Sequence, residues 1–301
     1  MSKNQRLQSL LEALLVTFLW SSSYVLIKVG LHGMSPLGFA AIRYSLASVT
    51  LFTMGMMRQV HGEGLKLNSQ EWLRLFVAGV AGYAVAQGLQ FVGLYYLPAV
   101  TTTFLLNFTP LFVLLLGALF LGETPTKIQA TGLAIALMGA YVYFLTPILA
   151  SEVVGVLIVL ASGLGWAVYM IMVRGFQRVG KIGTFRLTTI TMGFGAAILL
   201  VSALVLEGLP STDLSGFLII VWLSLVNTAF AFYLWNHTLR SLKAYELSML
   251  QNTMLIQIAL LASIFLGEQL TTNKILGIIL VLTGVTLVQI RVNRRSTPKS
   301  T

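Results

Sequence analysis

Several polar side chains recur at helical spacing. Tyr83, Gln87 and Gln90 fall at i, i+4 and i+7, so a helix carries them in one stripe. Thr103, Asn107 and Pro110 repeat that spacing, and Ser248 and Asn252 stack at i, i+4. Asn227, Phe230 and His237 lie within about 80° of one another at about 100° per residue. Hydroxyls and carboxamides donate and accept hydrogen bonds without carrying charge. Such stripes suit either reversible contact with a small solute or the joining of one helix to another. Pro110 lacks a backbone donor and frees a carbonyl, which kinks a helix or offers a group to a ligand.

The aromatic residues divide into two groups. Trp20 and Trp166 stand in the middle of long apolar runs and are expected on a cavity wall, with Tyr24 and Tyr169 beside them. Tyr233 and Trp235 are expected in an interfacial belt, the usual place for such rings. Arg43 lies inside an apolar run. It either snorkels outward or faces a cavity, where it binds a carboxylate. Glu123 and Glu268 close apolar runs and are expected to cap a helix or to pair with a loop cation.

Catalytic chemistry has little to stand on. There is no Cys, hence no thiolate nucleophile or thiolate metal site. No H-E-x-x-H, Asp pair or Ser/His/Asp set stands within the apolar runs, and no G-x-x-x-x-G-K-[ST] loop is present. The reading is therefore neither an enzyme nor an ATPase, with no cofactor and no metal. The nine carboxylates fall at the ends of apolar runs or between them, whereas proton relays use buried acids. Facilitated diffusion or solute exchange is the expected mode.

The elements that position these residues follow from composition. Of 301 residues 57% are hydrophobic and 9% charged, with a mean hydropathy of +0.88. Soluble domains carry roughly 25% charged residues. Crossing a hydrocarbon core of roughly 30 Å takes about 20 apolar residues in a helix. Ten such runs lie near 9–30, 35–57, 71–94, 98–121, 126–146, 152–174, 182–206, 214–239, 244–266 and 271–291. The apolar residues are continuous rather than alternating, which excludes a membrane β-barrel. The first run follows Lys3 and Arg6 like a signal peptide but is long enough to span, and is read as a retained helix.

The net charge of +10 reflects membrane orientation rather than nucleic-acid binding. With the N-terminus inside, 16 of the 19 cations fall on the cytoplasmic side. Lys28 and Lys274 fall outside, and Arg43 falls within the second span. Both termini are therefore placed in the cytoplasm.

The chain also repeats. Phe120-Leu121-Gly122-Glu123 recurs 145 residues later as Phe265-Leu266-Gly267-Glu268. At the same offset Asn107 matches Asn252, Gly132 matches Gly277, and Gly139 matches Gly284. With one residue of slippage Trp20 matches Trp166, and Lys28 matches Arg174. The Gly pairs, seven apart, mark the fifth and tenth helices for packing or dimerisation. Five spans per half is odd, so the second half enters from the opposite side. The expectation is an all-α integral membrane protein of ten transmembrane helices in two inverted repeats, 1–148 and 149–291, with a cytoplasmic tail at 292–301. Inverted repeats suit alternating access to a shared midplane site.

These features resemble the drug/metabolite transporter superfamily, EamA type. The resemblance rests on ten spans in a five-plus-five repeat, the L-G-E ending the fourth and ninth helices, Leu19-Trp20-Ser21-Ser22, and Pro36 to Arg43. Thr188 stands where Arg43 maps in the second half, so any role of Arg43 is not duplicated. The resemblance implies export or exchange of small metabolites, often amino acids, across the bacterial inner membrane. It also implies a cavity lined by helices 1, 3, 4, 6, 8 and 9. The aromatic and amide residues favour neutral amphipathic solutes such as aromatic or branched amino acids. A lipid or amphiphile flippase, or a multidrug exporter, of the same architecture is the alternative. The implied partners are a small-molecule solute and the lipid bilayer, without nucleic acid, in a monomer or homodimer.

Overall fold

The computed structural model describes residues 3–57, 67–121, 125–145, 149–179, 182–238, 242 and 244–289. Glu123, the loop cations Arg58, Lys66, Lys181, Arg240 and Lys243, and the stretch from 290 onward lie outside the described residues. So do the side chains of Lys3, Arg6, Arg178, Tyr233, His237, Glu246 and Ser248.

In hydrocarbon a backbone must satisfy its own hydrogen bonds, and an apolar helix does so within one segment. The described residues form ten such helices. They are α1 (Lys3–Gly30), α2 (Pro36–Met57), α3 (Ser69–Tyr96), α4 (Ala99–Leu106 and Thr109–Leu121) and α5 (Lys127–Tyr143). The second set is α6 (Ala150–Val179), α7 (Thr184–Leu206), α8 (Leu214–Ser224 running on through Leu225–Phe230 and Ala231–Thr238), α9 (Ala244–Leu266) and α10 (Thr272–Gln289). Seven are long and apolar enough to cross a membrane by length and composition. The others are α5, at 17 residues, and α8 and α9, whose described apolar runs are Leu214–Phe230 and Leu250–Leu266.

The inversion is visible where α5 meets α10. A Cβ on Gly132 would stand 2.6 Å from Gly284 O, and one on Gly139 would stand 2.9 Å from Gly277 O. The helices therefore run antiparallel. Exchanging each Gly for its counterpart 145 residues away converts the first contact into the second. That operation is a two-fold axis perpendicular to the helices, in the membrane plane. The glycine faces of α5 and α10 pack on each other within one chain.

Helices α3 and α8 share a feature that no sequence pattern marked. Val80–Gln87 and Leu225–Phe230 are π-helical, and their first residues are 145 apart. A π segment adds a residue to the turn and shifts the faces of the helix beyond it.

Charged side chains fasten one end of the bundle. Gly267 adopts φ +67°, ends α9 and lets Glu268 N–H reach back to Ala262 O at 3.2 Å, a left-handed glycine stop. Glu268 then accepts from Ala99 N at 2.6 Å and Val100 N at 3.0 Å, capping α4. Glu207, after α7, caps α2 in the same way through Leu37 N and Gly38 N. Lys28 donates to Leu94 O in the last turn of α3 and to Leu97 O just beyond it. Free helix ends thus receive ions of the complementary sign.

Candidate functional site

A cavity of about 460 Å³ lies between the halves, within the usual size of small-molecule sites. The first half contributes Trp20, Ser23 and Tyr24 from α1, Arg43 and Tyr44 from α2, and Tyr83, Ala86, Gln87 and Gln90 from α3. Helix α4 adds Thr103, Leu106, Asn107, Thr109 and Pro110. The second half contributes Ser162, Trp166 and Met170 from α6, and Asn227, Thr228, Phe232 and Trp235 from α8. Gln251, Asn252 and Met254 from α9 and Gln289 from α10 complete the wall.

Eleven of the fourteen candidates singled out in the sequence therefore line this cavity: Trp20, Tyr24, Arg43, Tyr83, Gln87, Gln90, Thr103, Asn107, Trp166, Asn227 and Asn252. Tyr169 does not reach it. Tyr169 is buried behind the wall, stacked on Trp166 at 4.8 Å and edge-on to Tyr83 at 5.5 Å. Phe230 turns outward and is 44% exposed. It closes the π segment of α8, where a wheel of 100° per residue no longer holds. The side chain of His237 lies outside the described residues. Trp235 departs from the belt expected for it: α8 leans on α1, and the Trp235 ring sits 5.1 Å from Trp20.

The amides serve both purposes considered for them. Asn227 is fully buried, and its Nδ2 donates to Leu19 O, to Ser22 Oγ at 3.1 Å and to Ser23 Oγ at 3.0 Å, tying α8 to α1. Its Oδ1 has no partner among the described residues. Asn252 Nδ2 donates to Gln289 Oε1 at 3.1 Å and Thr286 Oγ1 at 3.4 Å, tying α9 to α10. Asn107, its counterpart, instead donates to Thr103 O at 2.9 Å within α4. The helix breaks just there, before Pro110. Pro110 cannot bond to Leu106 O, but Thr109 Oγ1 does so at 2.7 Å, so the freed carbonyl has a partner within the chain.

Arg43 faces the cavity. Its Nε and Nη2 both donate to Thr228 Oγ1 at 3.2 Å, and its guanidinium lies 5.5 Å from the Tyr44 ring centre and 5.8 Å from that of Phe91. Among the described residues it has no ion pair. Its counterpart in the second half is Thr191 and not Thr188. Ser224 Oγ donates to Arg43 O, and Gly79, 145 residues before Ser224, abuts Thr191 O. Judged by these contacts with α3 and α8, the offset for α2 and α7 is three residues longer. A threonine occupies either position, so the guanidinium remains unduplicated.

The profile of the EamA-like transporter family matches residues 8–145 and again residues 153–290. The chain belongs to the EamA-like transporter family. Family members are transporters and not enzymes, and the chain is accordingly a multi-pass transporter of the inner membrane. A probable amino-acid metabolite efflux pump of Escherichia coli is 26% identical over 294 residues, covering 91% of this chain and 92% of that protein. An uncharacterized transporter of Bacillus subtilis is 26% identical, with 93% and 96% covered. A probable terminal-alkyne amino-acid exporter of Streptantibioticus cattleyicolor is also 26% identical, with 94% and 93% covered. A solved structure superposes with a TM-score of 0.67 at 20% identity, over 94% of this chain and 97% of that one, which shows the fold.

Spacing alone missed several wall residues of this EamA-like chain, among them Tyr44, Met170 and Thr228. The repeat could have found two of them. Met170 stands 146 residues after Tyr24, and Thr228 stands 145 after Tyr83. Tyr44 takes part in the wall through its hydroxyl, which donates to Gln87 Oε1 at 2.6 Å.

Proposed function

We propose that this chain exports or exchanges small amphipathic metabolites, such as neutral or aromatic amino acids and related compounds, by alternating access. One observation carries the reading. A cavity lined by indole and phenol rings, carboxamides and one guanidinium lies between two antiparallel repeats. Repeats related by an in-plane two-fold axis can exchange shapes, so that a shared pocket meets each side in turn. Relatives named as amino-acid efflux pumps and as an amino-acid exporter support that solute class.

In this reading the repeats run 1–148 and 149–291, ahead of a tail at 292–301, and both termini are cytoplasmic. The cavity wall is complete within one chain, so a monomer suffices. Transport proceeds by facilitated diffusion or exchange, because the wall carries no acid among the described residues.

Counterflow in proteoliposomes tests the reading. Vesicles loaded with unlabelled phenylalanine or leucine should accumulate the labelled compound transiently, with saturation and without an imposed pH gradient. Flux seen only under a pH gradient would overturn exchange. Movement of labelled lipid in place of amino acid would identify a flippase. Tags after α2 and before α8 should report opposite compartments.

A further inference from the structure

We propose that Arg43 receives a carboxylate of the transported solute, and that the solutes are amphipathic monocarboxylates whose amino group, where present, is dispensable. The inference rests on the transporter reading and narrows it.

Arg43 is 5% exposed, yet it stands on the cavity wall. A buried guanidinium ordinarily has an acid beside it. Here its partner is neutral. Thr228 Oγ1 accepts from two of the five N–H groups and donates its own hydrogen bond to Leu223 O at 2.8 Å. The hydroxyl therefore fixes the plane of the guanidinium without offsetting its charge. Tyr44 and Phe91 lie together on one side of the group, their ring centres 6.4 Å apart, which limits its freedom to swing. Three N–H groups remain, enough for a two-pronged bond to a carboxylate.

The rest of the wall fixes the other half of the solute. It carries no carboxylate among the described residues, so an ammonium meets only amide and hydroxyl oxygens. One positive charge against none of opposite sign favours an anion and disfavours a cation. Trp20 and Trp166 supply flat apolar faces for the remainder of the molecule. Binding should thus depend on the acid function and tolerate loss or acylation of the amine.

Thermal shift of the purified full-length protein at pH 7 tests this with four probes: 3-phenylpropionate, N-acetyl-L-phenylalanine, L-phenylalanine and 3-phenylpropionamide. The three carboxylates should raise the melting temperature, and the amide should bind about tenfold more weakly or worse. Arg43→Gln should abolish the distinction, and Arg43→Lys should retain part of it. The comparison of acid with amide in the unaltered protein needs no variant, so misfolding of either substitution leaves the question decidable. Equal binding of acid and amide overturns the proposal, as does a panel in which no carboxylate shifts the melting point. If phenylalanine counterflow persists in either case, the transporter reading stands and only the role of Arg43 falls. If counterflow fails while the acid-specific shift appears, the reverse holds.

Discussion

The two halves share a backbone plan but not a chemistry. Both carry a π-helical stretch at the cavity, beginning at Val80 in α3 and at Leu225 in α8. Each stretch packs on the first helix of the opposite half. Where α3 meets α6, Gly82 lies against the Tyr169 ring, and Tyr83, Trp166 and Tyr169 form an aromatic cluster. At the equivalent place where α8 meets α1, Asn227 bonds to Ser23, and Thr228 holds Arg43. The first contact is dominated by rings, whereas the second joins the hydrogen bonds of Asn227 to the ring contacts of Trp20 with Phe232 and Trp235. Duplication thus preserved a helix distortion while letting the side chains diverge, and the cavity kept rings on both flanks while Asn227 and Arg43 stand on one of them.

The comparison can be broken most sharply where the halves remain alike. At the crossing of α5 and α10, Gly139→Leu or Gly284→Leu would drive a side chain into backbone atoms, at a cost of about 3 kcal/mol or more. Both variants should lose the monodisperse peak in size-exclusion chromatography. Because Gly139 and Gly284 are counterparts, they should fail to a similar degree.

The next test moves to where the halves differ. Gly82→Asn copies the second half into the first, and its Cβ would stand 2.5 Å from a Tyr169 ring carbon, costing about 1–3 kcal/mol. Asn227→Gly makes the reverse exchange and strips α1 of its amide partner, costing about 1–2 kcal/mol. Each should lower the melting temperature, and the double exchange should not restore it. Recovery in the double variant would show the flanks to be interchangeable.

A smaller effect is expected at the capped helix ends. Glu268→Gln keeps an acceptor for Ala99 N but removes the charge facing the α4 terminus, worth about 0.3–1 kcal/mol. Glu207→Gln should do the same for α2. Cysteines placed near Gly38 and Val100 should label faster with a polar maleimide in these variants.

The smallest effect belongs to Asp213, an exposed N-cap outside the spans. The Gly216 backbone N–H, then the Ser215 hydroxyl, hold its carboxyl below the ordinary aspartate range. A depressed value means that the cap stabilises fully above the unfolded value and is lost as pH falls through the lower folded one. Asp213→Ala should therefore lower the melting temperature at neutral pH, and the difference should close below about pH 4. A difference that persisted at low pH would argue against the carboxylate form.

Much of this plan was legible in the residues. Run length counted the helices, because the bilayer fixes how many apolar residues a crossing needs. The offset of the L-G-E pairs exposed the inversion, since the glycines and caps they mark are backbone requirements that recur with the fold. Helical stripes placed Tyr83, Gln87, Gln90, Thr103, Asn107, Asn227 and Asn252 on the wall, and they failed at Phe230, the last residue of a π-helical segment. Trp235 was misassigned because position along a helix says nothing of which neighbour it leans upon. Pro110 was correctly a break, but the hydroxyl of Thr109, one residue away, answers the freed carbonyl.

The carboxylates of Glu207 and Glu268 have a further consequence. Together they occupy four amide hydrogens of the first repeat, on Leu37, Gly38, Ala99 and Val100, from residues of the second. Any excursion that separates the repeats at that end must hand those hydrogens to another acceptor, and lipid tails have none. Water must enter before the crevice widens, so the frequency of such excursions is governed by hydration. Lowering water activity with an excluded osmolyte should slow them without any change to the protein.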